Sequence, residues 1–398
     1  FVESLKYNYY NNNIKMKIFI KIIIFLCLVS VLNIQKISAE EKIKIGLLVP
    51  ITGQHSEIGK SIIKSVRLAI NKIDNPLIEI LPRDTQSNPL ITLRKAKELN
   101  EIGVKIIIGP VFNKNLIYLD EIKDVIFLSL TNKIINNPKN IISTGINSGS
   151  QFNTISKFQK INEIKKTIIL IPKENYKEEI EKAIKQSKIK VNKVYYYESD
   201  PTKLTNQIEE ITKYFQRKQN LENEIKKLEK SDKPNKKREI EDLKKLDTLG
   251  KVDFDAIIIS DFDESLKSIT TSLLYTDVSP KDVYFITLNQ WFDESLLKET
   301  SSQPIYFPSI NKENYDYFIK TYHETFNEYP NQLSFLSYDL IGLVYYLIVK
   351  NNFVVSKKMF LKKNMFKGKI GIFDIKNNKI NHILNFYKVE DGSFIKIF

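Results

Sequence analysis

Between Lys42 and Pro110, strand-like and helix-like segments alternate without a break, and this rhythm limits the fold more than any other feature of the chain. Lys44 to Pro50 (KIGLLVP) is a short, continuous apolar run, the pattern of a strand buried on both faces. A turn at Ile51 to Gly53 leads to an amphipathic helix over about Lys60 to Ile73. A second strand, Ile78 to Leu81, ends in the polar loop Arg83 to Pro89 (RDTQSNP). A helix over Leu90 to Ile102 and a third strand, Val104 to Ile108, bring the run to Gly109-Pro110. Each crossover helix returns the chain to the same sheet end, so the strands pair in parallel and ligands meet the loops at their carboxyl ends.

The alternation continues with strands at Ile126 to Leu130, Thr167 to Ile171, Val191 to Tyr197, Ala256 to Ser260 and Val283 to Leu288. Helices are expected near Glu174 to Ser187, from Thr202 to Phe215, over Lys312 to Phe326 and over Gln332 to Lys350. Gly368 to Asp374 and Ile383 to Lys388 read as a late hairpin. One segment breaks the rhythm. Gln216 to Leu249 is almost wholly charged, with apolar residues at Leu221, Ile225 and Leu228 and again at Ile240, Leu243 and Leu246. These spacings of three and four, split by Ser231 to Asn235 with its proline, predict a hairpin of two short helices. It serves either as a solvated spacer or as a docking arm.

The N-terminal segment predicts export. With Met16 as a start, Lys17 and Lys21 precede an apolar stretch, Ile22 to Leu32, and Ile37-Ser38-Ala39 precedes Glu40. A basic end, a short apolar core and a small residue describe a signal peptide cut after Ala39; a retained anchor is the alternative. Cys27 is the single cysteine, and Leu26 before it is not the small residue that lipid attachment uses. Cleavage would remove that cysteine and with it disulfide chemistry. The net charge is +14, and losing residues 1–39, with five lysines and one glutamate, leaves +10. The lysines are spread along the whole chain, which fits a solvated surface and no nucleic-acid partner. The remaining length exceeds what one core serves, so two lobes are expected.

The chemistry of catalysis is missing. Gly53 to Ser61 (GQHSEIGKS) imitates a phosphate-binding loop, but five residues separate its glycines where four are needed to align the backbone N–H groups on phosphate. His55, His323 and His382 are far apart and lack metal-ligand spacing. Asp84 has no nucleophile beside it and reads as a turn cap. The pentapeptide FDESL occurs twice, at Phe262 to Leu266 and Phe292 to Leu296, each time after a strand. An aspartate followed by Glu-Ser is good helix-start chemistry, so both copies read as helix caps. No enzyme activity, cofactor or metal is expected.

Three early segments, KIGLLVPITG (Lys44 to Gly53) with Gly59, DTQSNP (Asp84 to Pro89) and VKIIIGP (Val104 to Pro110), resemble the type I periplasmic binding proteins, above all the branched-chain amino-acid-binding group. NQWFDESL (Asn289 to Leu296), LSYDLIGLVYYLI (Leu336 to Ile348) and FKGKIGIFD (Phe366 to Asp374) fit its later segments. The resemblance implies an α/β fold of two Rossmann-like lobes with parallel sheets, joined by three hinge crossovers, closing on a small-molecule ligand in the interlobe cleft. It implies lobe 1 from residues 42–146 and 309–368, and lobe 2 from 147–308 and 369–398, with the 216–249 insert in lobe 2. In that family a ligand carboxylate is held after the third and fourth strands, here at Asn113, Thr131 and Asn132. Acids that bind an amino group would stand near Asn147-Ser148 and Asn289-Gln290, where this chain has none. Phe262 would cover the ligand and Trp291 would line the cleft or fill a lobe core. The expected ligand-binding set is therefore Asn113, Thr131, Asn132, Ser148, Phe262, Asn289 and Trp291. The resemblance implies delivery to an ABC permease. A related branch, the activators of penicillin-binding proteins, implies contact with a peptidoglycan synthase instead. Either way, membrane contact comes only through partners.

Overall fold

The computed structural model describes residues 16, 20–23, 42–133, 138–174, 177–288, 291–360, 363–376 and 379–398. Two units are separated, residues 1–42 and residues 43–398. In the first, residue 16 and residues 20–23 are helical and exposed, and the expected cut after Ala39 lies outside the described residues.

In the second unit, the apolar runs become the strands of two sheets. The first sheet has the order β2-β1-β3-β4-β5, with β1 Ile43–Val49, β2 Ile78–Asp84, β3 Ile106–Ile108, β4 Ile126–Ser129 and β5 Ile141–Ser143. All its pairings are parallel. The second sheet has the order β15-β14-β10-β9-β8-β6-β7. Its strands β6 (Thr167–Pro172), β7 (Lys193–Tyr197), β8 (Ala256–Ile259), β9 (Tyr284–Thr287) and β10 (Ile305–Ser309) are parallel. Two antiparallel strands, β14 (Asn385–Glu390) and β15 (Ser393–Lys396), extend it at the β10 edge. The central strands β3, β4, β6 and β8 are buried at every position, which is why they read as unbroken apolar runs.

Helix α1 (Ser56–Ile73) begins four residues before its apolar periodicity shows, and Gly59 lies inside it. A Cβ on Gly59 would stand 1.8 Å from the Pro50 carbonyl oxygen, so this glycine serves close packing of helix against strand end. The other glycine of the false phosphate loop, Gly53, has φ 82° and forms the turn. Asp84 accepts hydrogen bonds from the Ile51 N–H (2.8 Å), the Thr52 hydroxyl (2.5 Å) and the Gln86 N–H (2.9 Å), tying the loops after β1 and β2. Burial pushes this carboxyl up, but the Thr52 hydroxyl and the three backbone donors outweigh it and hold it below the usual range. Helix α2 (Pro89–Glu101) is capped by Asn88, which accepts from Leu90 N and Ile91 N.

Helices α10 (Lys312–Phe326) and α11 (Gln332–Lys350) form where their periodicity predicts. They pack on α1, and serines let α1 and α11 approach closely: Ser61 and Ser334 hydroxyls are 2.6 Å apart, and Ser65 Oγ donates to the Ser334 carbonyl at 2.5 Å. The chain thus passes between the two layered halves after β5, after β10 and again after Ile383.

The late hairpin departs from the sequence expectation. Strands β11 (Asn364–Lys367), β12 (Ile372–Lys376) and β13 (Lys379–Ile383) form a separate antiparallel sheet, in which Ile383 faces Ile372. Residues 383–388 do not pair with 368–374 as one unit. The chain leaves the small sheet at Leu384, and β14 pairs with β10 instead. The small sheet also spans the expected lobe boundary at 368/369, because β11 lies before it and β12 after it.

The charged segment carries two helices, α6 (Tyr214–Glu229) and α7 (Lys236–Leu243), which come after α5 (Pro201–Thr212). Leu221 and Leu228 are buried, whereas α7 has no buried residue and Leu246 is exposed. The base is fastened by Arg217. Its buried guanidinium donates to the carbonyls of Thr212 (3.1 Å), Gly250 (3.4 Å), Asp277 (3.3 Å) and Thr276. Thr276 and Asp277 lie just beyond α8 (Asp263–Tyr275), so a cation meets the carbonyl-rich end of that helix.

Candidate functional site

The carboxyl ends of β3, β4, β8 and β9 open on one cavity of about 780 Å³, bounded also by the first crossing and by α4 (Lys177–Gln186), α10 and α11. This volume lies within the range of small-molecule sites. Six of the seven residues expected from sequence line it: Asn113, Thr131, Asn132, Ser148, Phe262 and Trp291. Asn289, the seventh, lies outside the described residues.

The wall on the first-sheet side is built from strand ends. Asn113 opens a single 3-10 turn, Asn113–Leu116, after β3. After β4, Ser129 Oγ donates to the Pro110 carbonyl (2.9 Å) and accepts from Thr131 N (3.4 Å), and Thr131 Oγ1 accepts from Lys133 N (3.2 Å). These bonds fold residues 129–133 toward the cavity and place Lys133 at its edge. Gly145, at the first crossing, packs against this turn. Its N–H donates to the Thr131 carbonyl at 3.0 Å, and a Cβ there would come within 2.7 Å of Asn132 N. Any side chain at 145 would push the Thr131-Asn132 corner into the cavity.

The opposite wall carries acids. Asn147 caps α3 (Ser148–Ile161) by accepting from Ser150 N at 2.8 Å, which leaves Ser148 at the first helical position. Ser148 Oγ donates to Glu179 Oε1 at 3.0 Å. Glu179 stands in the first turn of α4 and is 7 % exposed. Burial pushes its carboxyl up from the ordinary value, while the Ser148 hydroxyl and the Lys133 charge oppose that rise. Asp263 and Asp293, from the two FDESL copies, also line the cavity, as do Phe262, Trp291 and Phe292. Tyr315 of α10 closes the wall, its ring 6.2 Å from Trp291 and edge-on to it. Burial, then the charge of Asp316, pushes the Tyr315 phenol up to about 12, so it stays protonated near neutral pH. Trp291 combines both sequence readings: it is half-buried, lines the cavity and packs on the core.

The sequence reading looked for acids only near Asn147-Ser148 and Asn289-Gln290, whereas the acids that line the cavity come from elsewhere. None stands at Asn147 or Ser148, but Glu179, Asp263 and Asp293 reach the same space from other elements. The two aspartates are visible in sequence as the repeated pentapeptide, where both read as caps. Asp293, the residue before the N-cap Glu294, does hold the helix start, accepting from Ser295 N (2.9 Å) and Ser295 Oγ (2.8 Å). Asp263 does not: the residue before it, Phe262, caps α8 without a side-chain bond, and Asp263 itself has φ 51°. Glu179 gives no signal, since it lies in a run of alternating charges like many surface helices here. Among the described residues no group of His, Cys, Asp and Glu is arranged to hold a metal.

Residues 42–212 match the family model described as periplasmic binding protein. No curated protein matches the sequence. Among solved structures, a putative branched-chain amino acid ABC transporter protein from Rhodospirillum rubrum is 12% identical with a TM-score of 0.67, over 89% of this chain and 100% of that one. The C-domain of LpoA from Haemophilus influenzae, a regulator of PBP1A, is 15% identical with a TM-score of 0.61, over 89% and 100%. The leucine-binding protein LivK from Thermotoga maritima is 15% identical with a TM-score of 0.55, over 89% and 98%. The match to the periplasmic binding protein model thus covers residues 42–212, and the chain as a whole shares the two-lobed α/β fold of these solved structures.

Proposed function

We propose that the protein is an exported binding protein that closes its two lobes around a small zwitterionic, amino-acid-like ligand and delivers it to an ABC-type permease. The observation that carries this reading is the polarity of the cavity, with Asn113, Thr131, Asn132 and Lys133 on one wall and Glu179, Asp263 and Asp293 on the other. A ligand with a carboxylate and an ammonium would neutralise both walls, and burying either charge without a partner is costly. Phe262, Trp291 and Tyr315 would cover its apolar part. Glu179 and Asp263 occupy the role expected of acids near Asn147 and Asn289. Ser148 would act by orienting Glu179, since its hydroxyl is already engaged there. Asn289 remains in the proposed ligand set. Export follows the family, and the leader cut after Ala39 is part of the proposal. The proposed lobes are residues 42–146 with 309–368, and 147–308 with 369–398. The closed form would be selected by the ligand and read by the permease.

A thermal-shift and calorimetric screen of amino acids, short peptides and muropeptides tests this reading. A zwitterion should raise the melting temperature in a concentration-dependent way, and Glu179→Gln should weaken it at least tenfold. A second reading rests on α6 and α7, whose charged surface projects beyond a base held by Arg217: regulation of a peptidoglycan synthase by protein contact. A screen without a stabilising ligand, together with synthase co-purification that depends on residues 216–249, would sink transport and support the regulator.

A further inference from the structure

Below α11 the chain changes character. From residue 340 to residue 389 it has one acid, Asp374, and ten lysines. Of the carboxylates bordering this stretch, Asp339 is buried and accepts hydrogen bonds from the N–H groups of Lys369 (2.8 Å) and Ile370 (2.6 Å), and Glu390 pairs with Lys388. At the end of α11 the chain turns through Asn352 (φ 53°) and Phe353 (φ 60°). A left-handed conformation is unfavourable for a bulky residue, and Phe353 adopts it in an exposed turn. The strain does not serve burial, because Phe353 is 40 % and Val354 60 % exposed.

The turn is fixed to the end of α11, and that helix end to the small sheet. Phe353 N donates to the Ile348 carbonyl at 2.9 Å, and Lys350 Nζ donates to Asn364 Oδ1 at 2.8 Å. On that sheet, Phe373, Ile375, Ile380 and His382 face inward, while Met365 (58 % exposed) and Ile383 (53 %) alternate to the outside with exposed Lys367. Exposed Lys358 and Lys363 lie in the segment between the turn and the sheet. Exposed apolar residues beside exposed Lys358, Lys363 and Lys367, with Asp374 opposite Met365 as the one acid of the stretch, match the chemistry of an anionic bilayer, where acyl chains take the tip and phosphates take the lysines.

We propose that the tip at residues 351–358, with the outer face of the β11–β13 sheet, docks on an anionic phospholipid membrane with Phe353 and Val354 at the headgroup boundary. The surface is distinct from the ligand cavity and does not depend on what fills it. Membrane contact would then come directly from this face, besides any partner.

The test places a fluorophore at the tip of the full-length chain, as Phe353→Trp in a Trp291→Phe background, with Val354→Trp as a second reporter should the first fail to melt cooperatively. The vesicles contain phosphatidylcholine alone or with phosphatidylglycerol, each with and without brominated acyl chains. Emission should shift to the blue and be quenched by brominated lipid only in the phosphatidylglycerol vesicles. Lys358→Glu with Lys363→Glu should weaken that partition at least about tenfold, and added salt should weaken it further. Unquenched reporters in anionic vesicles would overturn the proposal, and so would quenching indifferent to the lysine reversals or to phosphatidylglycerol. A tip that ignores vesicles but is buried by a purified protein partner would overturn it in favour of a protein interface.

Discussion

Phe262 to Leu266 and Phe292 to Leu296 are the same five letters after equivalent strands, yet they become different structures. The first starts a 13-residue helix, leaves Phe262 39 % exposed and sets Asp263 in a left-handed conformation without a capping bond. The second starts a four-residue helix, α9 (Ser295–Lys298), buries Phe292 to 7 % and closes Asp293 onto Ser295. The chain downstream of the pentapeptide decides the outcome. Beyond the second copy lie β10 and the antiparallel β14–β15 pair, whose Phe307, Tyr387 and Phe394 surround the Phe292 ring at 5.9, 4.9 and 5.4 Å. Among the described residues no ring contact to Phe262 of the first copy matches this cage. Local capping preference is worth about 1 kcal/mol, whereas burying an aromatic ring is worth several times that, so packing overrules the local signal.

The largest effect should therefore separate the two phenylalanines. Phe292→Ala should cost about 3 kcal/mol or more by loss of a caged ring, and Phe262→Ala well under half of that. Urea unfolding of both variants measures the difference, and equal losses would break the comparison.

A comparable effect, controlled by pH, sharpens the point that position decides chemistry. His382 is buried at the crossing between the halves, its ring Nε2 2.8 Å from the Thr144 carbonyl and its backbone N–H donating to Ser150 Oγ at 3.0 Å. Burial lowers its pKa to about 4, against the Thr144 carbonyl, which raises it. Between pH 6.5 and 4 the unfolded chain binds a proton there that the folded chain refuses, so this group's contribution to stability is full above 6.5 and falls as the pH drops. The total is about 3 kcal/mol. Asp339 works in the opposite direction. Burial raises it to about 6, although the Ile370 and Lys369 N–H groups pull it down. Between pH 3.8 and 6 the folded chain holds its proton and the unfolded chain does not, so its contribution is full in acid and falls as pH rises. The two slopes largely cancel in the intact protein. His382→Gln should unmask stability that decreases from pH 4 to 6, and Asp339→Asn stability that increases; chemical unfolding at stepped pH would show either sign.

The aspartates of the two copies should differ next. Asp293→Ala removes the bonds to Ser295 at the helix start and should destabilise by about 1 kcal/mol. Asp263→Gly relieves a left-handed non-glycine residue and should be neutral or stabilising by a few tenths of a kcal/mol. Thermal melts that shifted in the same direction would remove the distinction. The smallest stability effect belongs to Asp263→Asn, whose expected consequence is weaker ligand binding with an unchanged melt, read by calorimetry on the ligand found in the screen.

The strands are legible in the sequence because both faces of a central strand are buried, as the unbroken apolar runs at β1, β6 and β8 show. Helices α10 and α11 are legible because one apolar stripe meets one partner surface. The false phosphate loop fails on spacing, and Gly59 shows the alternative use of a glycine at a strand–helix junction, close packing on Pro50. The pairing of the last strands is not legible, because Ile372 and Ile383 satisfy any neighbouring strand equally well, and register depends on which sheet is near. Glu179 is hidden for a related reason. It differs from the exposed glutamates beside it only by facing Ser148 and Lys133 across the cavity.

By itself, the sequence determined the alternation of buried strands and covering helices, the parallel pairing that this alternation requires, and the sheet end whose loops line the cavity. These depend on periodicity and turn chemistry, which act over a few residues. Only the tertiary structure decided which acids share the cavity, which copy of FDESL is caged and which carboxylate or imidazole titrates far from its usual range. Those outcomes depend on groups tens to hundreds of residues away, brought within a few ångströms by packing, where desolvation and close approach outweigh anything the neighbouring letters specify.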